Sequence, residues 1–252
     1  MPVDVSVPFR PAVPVFDGHA ALGRRYDRRA DLDTPEDLLA EMDRCGIERA
    51  LVYHPHAAHY STREGNALLM ELVAGQPRLV PQFVANPVFD DPEAFGEKMR
   101  AAGVRSVRFC PKTNLYPFVR WVAGRWLDWL RENGLALWLP ADEVDLTAAY
   151  DTLSAYQELP VVLVAPTYGQ VSTVLPLMGA LPHLHLDLSR WDVYEGPIRA
   201  RDSFGAERLL YGSNLPEFEP GSYLFHLHRC GFSEAELRAI CGGNLERLLG
   251  EW

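Results

Sequence analysis

Eight short runs of apolar, β-prone residues recur along this chain, spaced widely enough to hold a helix between each pair, and this alternation limits the fold more than any other feature. The runs cover residues 15–19, 49–54, 79–85, 105–110, 136–139, 160–165, 184–188 and 208–213. Helix punctuation separates them. In Thr34-Pro35-Glu36-Asp37 a capping Thr, a Pro at the first helical position and early acids precede Leu38, Leu39 and Met42, and Gly46 ends the helix. Ser61-Thr62-Arg63-Glu64 opens another with Gly75 behind it, and Ser233-Glu234-Ala235-Glu236 opens the last. Segments 118–133, 146–159 and 171–181 are the helices expected in the middle. Strands alternating with helices imply right-handed crossovers and a parallel sheet, and eight such units close into a single-domain α/β fold, the (β/α)8 TIM barrel. The length of 252 residues suits one barrel of ~250 residues.

Residues 1–14 carry Pro2, Pro8, Pro11 and Pro14 without helical period, and read as an arm lying over a barrel that spans 15–252. An open doubly wound sheet is the alternative architecture. Against it, the first strand-to-helix turn, Phe16-Asp17-Gly18-His19-Ala20-Ala21-Leu22-Gly23, has no Gly-x-Gly-x-x-Gly phosphate cradle.

The formal charge of −10, with Lys and Arg scattered among acids, lacks the footprint of a nucleic-acid binder. No stretch reaches the ~18 apolar residues of a membrane span, and no signal segment opens the chain. Cys45, Cys110, Cys230 and Cys241 show no Cys-x-x-Cys spacing and read as reduced thiols of a cytoplasmic protein.

Three stretches carry a family resemblance. Val15-Phe16-Asp17-Gly18-His19-Ala20-Ala21 resembles an opening Asp-x-His-x-His strand. Residues 208–216, with Gly212-Ser213-Asn214-Leu215-Pro216, resemble a Gly-Ser-Asp-x-Pro signature, and 242–250 resembles a closing helix. In that order, and with the 104–109 strand, they resemble the amidohydrolase-related family of metal-dependent decarboxylases, hydratases and lactonases of small carboxylic acids. The resemblance implies a TIM barrel, a pocket for a small carboxylate or lactone, and a homodimer.

It also implies a divalent metal held by imidazoles and a carboxylate at strand C-termini, and here the sequence departs from the pattern. His19 is present, but its partner two residues on is Ala21. The fifth- and sixth-strand His positions are Pro140 and Ala165, and the eighth-strand Asp is Asn214. A catalytic zinc site takes about three protein ligands, and one imidazole with one amide falls short, so neither metal nor other cofactor is expected at that place. A slip in alignment would not restore it, because no His occurs between His59 and His183.

The remaining candidates each carry a plain reading beside a functional one. His19 is either an acid/base in a metal-free site or a relic hydrogen-bonded to Asn214. His54, His56 and His59 form a relocated metal cluster or a polar loop. Arg108 and Lys112 leave the fourth strand toward the mouth, where a guanidinium suits a carboxylate, or they pair with Asp142 or Glu217. Asn86, Tyr168, Asp187, Ser189 and Arg190 fall at strand C-termini, where barrel sites are built. His183 and His185 belong to the opposite end, His226 and His228 to the surface, and Trp121, Trp126 and Trp129 to a helix face packed on the barrel.

From these, His19, Asn214 and Arg108 are the expected catalytic residues, with His54, Asn86, Lys112, Asp142 and Tyr168 lining the substrate. Three functions stay open: a metal-independent hydrolase or lyase of a small carboxylate or lactone, an inactive ligand- or partner-binding relative, and a metalloenzyme using the His54 cluster.

Overall fold

The computed structural model describes residues 9–25 and 32–250. Its strands follow the eight expected runs: β1 (Phe16–Ala21), β2 (Arg49–Tyr53), β3 (Leu79–Pro81) and β4 (Phe83–Val84), β5 (Ser106–Arg108), β6 (Ala136–Pro140), β7 (Val161–Val164), β8 (Leu184–Asp187) and β9 (Leu209–Leu210). All pairings between them are parallel. β3 pairs with β2, while β4 begins the ladder β4-β5-β6-β7-β8-β9. β3 and β4 are therefore one barrel strand, broken at Gln82, whose N–H still bonds Val52 O at 2.8 Å.

The ring closes where β1 meets the loop after β9. Gly18 N donates to Tyr211 O, Asn214 N to His19 O and Ala21 N to Leu215 O, at 2.8–2.9 Å. The chain is a (β/α)8 barrel.

Outside the ring run α1 (Pro35–Cys45), α2 (Pro55–His59), α3 (Thr62–Val73), α4 (Pro92–Ala102), α5 (Arg120–Glu132), α6 (Leu146–Leu153), α7 (Val171–Ala180), α8 (Gly196–Phe204), α9 (Pro220–Arg229), α10 (Glu234–Arg238) and α11 (Asn244–Leu249). The expected caps hold: Thr34, Ser61 and Ser233 each accept from the backbone N–H three residues on, and Gly46 stops α1 at φ 76°. Two of the helices are shorter than the pattern suggests, α5 starting at Arg120 and α6 ending at Leu153.

Two apolar layers result. Leu, Val and aromatic side chains between strands and helices form the larger one. Inside the barrel, Phe16, Leu51, Trp138, Val162 and Leu210 pack against Leu245 and Leu249 of α11, which plug the N-terminal end. Trp138 Nε1 donates to Gly18 O at 3.1 Å, setting a solid floor beneath the mouth.

Of the arm, residues 1–8 lie outside the described residues. Phe9 stacks edge-on against Phe225 and His228, and Ala12 N donates to His228 Nε2 at 3.0 Å. His228 therefore pins the arm instead of standing as a plain surface residue. The tryptophan face also needs correction: Trp126 and Trp129 are buried, but Trp121 is 83% exposed, because five residues on a helix turn well over 90° away.

Candidate active site

The C-terminal mouth of the barrel brings together side chains from distant strands. His19, near the end of β1, is buried, with Nδ1 3.1 Å from Asp187 Oδ2 and 3.3 Å from Ser189 Oγ. Asp187 ends β8, and its Oδ1 accepts from Ser189 N at 2.6 Å. His19 Nε2 makes no hydrogen bond among the described residues. Asp187 Oδ2 lies within ion-pair distance of Nδ1 but outside hydrogen-bond geometry, and the nearness of its charge favours the tautomer protonated at Nδ1, whose Nε2 lone pair is free. Burial pushes the imidazole below its ordinary 6.5, as does the charge of Arg108, while Asp187 pulls the other way. His19 is thus neutral at pH 7, a base held in one orientation.

Gly212 makes this pair fit. A Cβ there would stand 2.7 Å from Asp187 Oδ1 and 2.9 Å from His19 Cβ. One residue further, Ser213 donates through its N and its Oγ to Asp17, which also accepts from His19 N at 3.0 Å. Asp17 so ties β1 to the eighth-strand loop, and burial pushes its carboxyl up to about 7.

Across the mouth, Arg108 at the end of β5 is 3% exposed. Its Nε donates to Gln82 Oε1 at 3.0 Å, and Gln82 Nε2 donates to Ser106 Oγ at 3.2 Å. The guanidinium lies 4.1 Å above the Tyr53 ring, and that ring stacks beside His19 with centroids 6.3 Å apart. Arg108 Nη2 is buried without any hydrogen-bond partner. An unmet donor of this kind on a fixed cation is expensive to bury and is suited to an anion. Above the mouth, Arg25 pairs with Glu217, bridging the loops after β1 and β9.

These contacts correct two of the plain readings. Arg108 pairs with neither Asp142 nor Glu217, since Gln82 takes its Nε and Arg25 takes Glu217. His19 meets Asn214 only through backbone, Asn214 N to His19 O; Asn214 itself stands at φ 56°, a conformation that Asn tolerates.

The other expected residues are spread more widely. His54 Nδ1 accepts from His56 N at 3.0 Å, capping α2, and burial pushes it down to about 4. His56 faces Glu64, and His59 is exposed, so the three imidazoles do not converge. Asn86 folds into its own turn, with Oδ1 accepting from Val88 N. Lys112 and Tyr168 are exposed; Asp142 is exposed too, though its charge still reaches His19. Asp187 and Ser189 were expected at the mouth without a specific role, and Tyr53, Gln82, Gly212 and Asp17 are site residues to which the sequence reading assigned none.

The family model described as amidohydrolase matches residues 15–250. The chain belongs to the amidohydrolase family. No curated protein matches it. Among solved structures, an uncharacterized TIM-barrel protein of Bordetella bronchiseptica superimposes with a TM-score of 0.75 at 16% identity, over 94% of this chain and 98% of that one. The 5-carboxyvanillate decarboxylase of Sphingomonas paucimobilis gives 0.72 at 14% identity, over 96% and 100%. A dihydroxybenzoic acid decarboxylase of Polaromonas, solved with bound manganese and the inhibitor 2-nitroresorcinol, gives 0.74 at 16%, over 94% and 97%.

The donors at the mouth of this amidohydrolase-family barrel do not fit a divalent cation. Ala21 and Ala165 carry no side-chain ligand atom, nor does Pro140, and His19, the one His left at the positions of the family pattern, directs Nδ1 at a carboxylate. Among the described residues, the one group of three ligand-type side chains close enough to share an ion is Glu41, Cys45 and Glu219, between α1 and α9. There Arg44 already bonds both carboxylates.

Proposed function

We propose that this amidohydrolase-family protein is a metal-independent hydrolase or lyase of a small carboxylate-bearing substrate, with His19 as general base and Arg108 as the carboxylate anchor. One observation carries this reading. The Tyr53 ring lies against both the imidazole of His19, whose Nε2 makes no hydrogen bond among the described residues, and the buried guanidinium of Arg108, whose Nη2 has no partner.

In this reading the substrate carboxylate docks on Arg108, and His19 Nε2 takes a proton either from water attacking a lactone carbonyl, whose ring C–O bond then breaks, or from the carbon beside the carboxylate, whose electron pair forms a double bond as an oxygen departs from the next carbon. The imidazolium that forms is held by Asp187, and it returns the proton to the departing oxygen. Burial keeps the Tyr53 phenol protonated, so it serves as a hydrogen-bond donor. The decarboxylase relatives support a small carboxylate as substrate. Asn214, Asn86, Lys112, Asp142 and Tyr168 would act on substrate size at the rim. A cytoplasmic location rests on the cysteine spacing of the sequence, and a homodimer on the family resemblance.

The test is turnover of a panel of aromatic and aliphatic carboxylates and carboxy-lactones, before and after chelation, alongside metal analysis of the protein. Turnover that survives chelation and falls about 100-fold or more in a folded His19→Gln protein supports the proposal. Turnover that vanishes with chelator and returns with zinc or manganese would overturn it. Ligand-dependent thermal stabilisation without product would favour the binding-protein reading instead.

A further inference from the structure

Gln82 stands between β3 and β4, 1% exposed, in a run whose other members are apolar. A primary amide buried there needs partners for its polar atoms. Arg108 supplies the first. A guanidinium carries donors only, so the amide must turn Oε1 to Arg108 Nε, at 3.0 Å. Its Nε2 then meets Ser106 Oγ at 3.2 Å. Ser106 and Arg108 lie two residues apart on β5 and share a face of the strand, which is how one amide reaches both.

That the acceptor is neutral has a consequence for the charge. A buried guanidinium is ordinarily paired with a carboxylate, which cancels it. Arg108 is 3% exposed and makes no ion pair among the described residues. The carboxylates of the mouth loops are engaged elsewhere: Asp187 lies beside His19, Glu217 pairs with Arg25, and Glu143 accepts from Thr113 N. Gln82 therefore satisfies one N–H and leaves the whole charge in place. It also fixes which edge of the guanidinium is open. With Nε taken, the free edge is that of the two Nη atoms: Nη2 is buried without a partner, and Nη1 has none among the described residues. Such an edge matches the two oxygens of a carboxylate, which it can bind with parallel hydrogen bonds.

We infer that Gln82 is the specificity-determining residue of the mouth, selecting a monocarboxylate over its uncharged counterpart by holding Arg108 end-on with its charge uncancelled. Glu at this position would hold the guanidinium in the same place and cancel it. This role rests on Arg108 being the carboxylate anchor and is independent of the chemistry at His19.

Isothermal titration of the full chain at fixed ionic strength, with sodium benzoate and with its neutral isostere benzamide, tests this without any turnover. The parent protein should bind benzoate saturably and about tenfold or more tighter than benzamide. In Gln82→Glu the benzoate affinity should fall about tenfold or more, while that for benzamide changes less than about threefold. A purely structural role for Gln82 would weaken both ligands together. Gln82→Met removes the amide without adding charge and should keep the preference for benzoate, which gives a second check if the Glu protein does not fold. Arg108→Met should lose the preference. An undiminished preference in Gln82→Glu, or a preference lost in Gln82→Met, would overturn the role of Gln82 and leave Arg108 as anchor. A parent protein that binds benzoate no better than benzamide would overturn the anchor, and the role of Gln82 with it.

Discussion

Replacing Asp187 by Asn tests the candidate site at its most informative bond. The carboxylate lies 3.1 Å from His19 Nδ1, and at an effective dielectric near 20 a charge pair at that distance is worth about 5 kcal/mol. Asn keeps the shape and the acceptor for Ser189 N but removes the charge, retaining only a dipole. About half to two-thirds of that interaction should go, ~3 kcal/mol, equivalent to roughly two pH units in the imidazole or about 100-fold in a rate that depends on forming imidazolium. The direction follows from the structure: burial already holds His19 below 6.5 and Asp187 opposes it, so the Asn protein should titrate lower still. Long-range proton–nitrogen NMR of the imidazoles, with His19 assigned by His19→Gln, reads both pKa and tautomer without any substrate. In the parent protein the proton should sit on Nδ1; in the variant it should move toward Nε2, because an Asn amide can donate to Nδ1. Folding stability should change by less than about 1 kcal/mol, since a buried charge is removed while its hydrogen bond is kept. An unchanged His19 titration and tautomer would refute the pairing on which the proposed chemistry depends.

Gly212→Ala should lower the melting temperature and disturb the same titration, because the new methyl group must displace either Asp187 or His19; a cost of about 1–3 kcal/mol is expected by denaturant unfolding. Asp17 gives a pH dependence of opposite sign to a salt-bridged acid. Its folded value near 7 lies above 3.8, so the folded state binds the extra proton, and the Asp17 contribution to stability should fall as pH rises from about 4 to 7. Unfolding measured across that range should show a shallower decline in Asp17→Asn than in the parent protein. A parallel pair of curves would count against the buried, protonatable carboxyl.

The eight strands were legible because most are short apolar runs buried on both faces, as in β6 and β7, and length and punctuation distinguish such runs from helix. Among the helices, the start of α4 went unread although its signal is present: Asp91-Pro92-Glu93 repeats the cap, proline and acid order of Thr34-Pro35-Glu36, and Asp91 accepts from Ala94 N. By contrast, α2 is a single capped turn and α8 opens on Gly196-Pro197, which reads as a turn, after Glu195 at φ 52° with no side-chain cap. Gln82 interrupts an apolar run for a reason no local pattern contains: it holds Arg108, 26 residues on.

The site follows the same division. His19 and Arg108, the two residues on which the proposed site rests, were singled out because each stands in the last part of a strand, where alternation and register fix the direction of a side chain. Lys112, Asp142 and Tyr168 lie two to four residues beyond strand ends, and all three are exposed. The partners that give His19 its chemistry depend on closure of the ring. Asp187 and Ser189 reach it only because β8 and β9 curl back to β1, across 168 and 170 residues of sequence. Closure also explains Gly212: next to β1 the backbone must pass so near Asp187 and His19 that no side chain fits. With Ala21, Pro140, Ala165 and Asn214 at the positions compared with the family's metal ligands, Arg108 is the buried cation beside His19. The Gln82–Ser106 chain that holds this guanidinium, and leaves one of its nitrogens unmet, is the arrangement expected if an anion is to complete it.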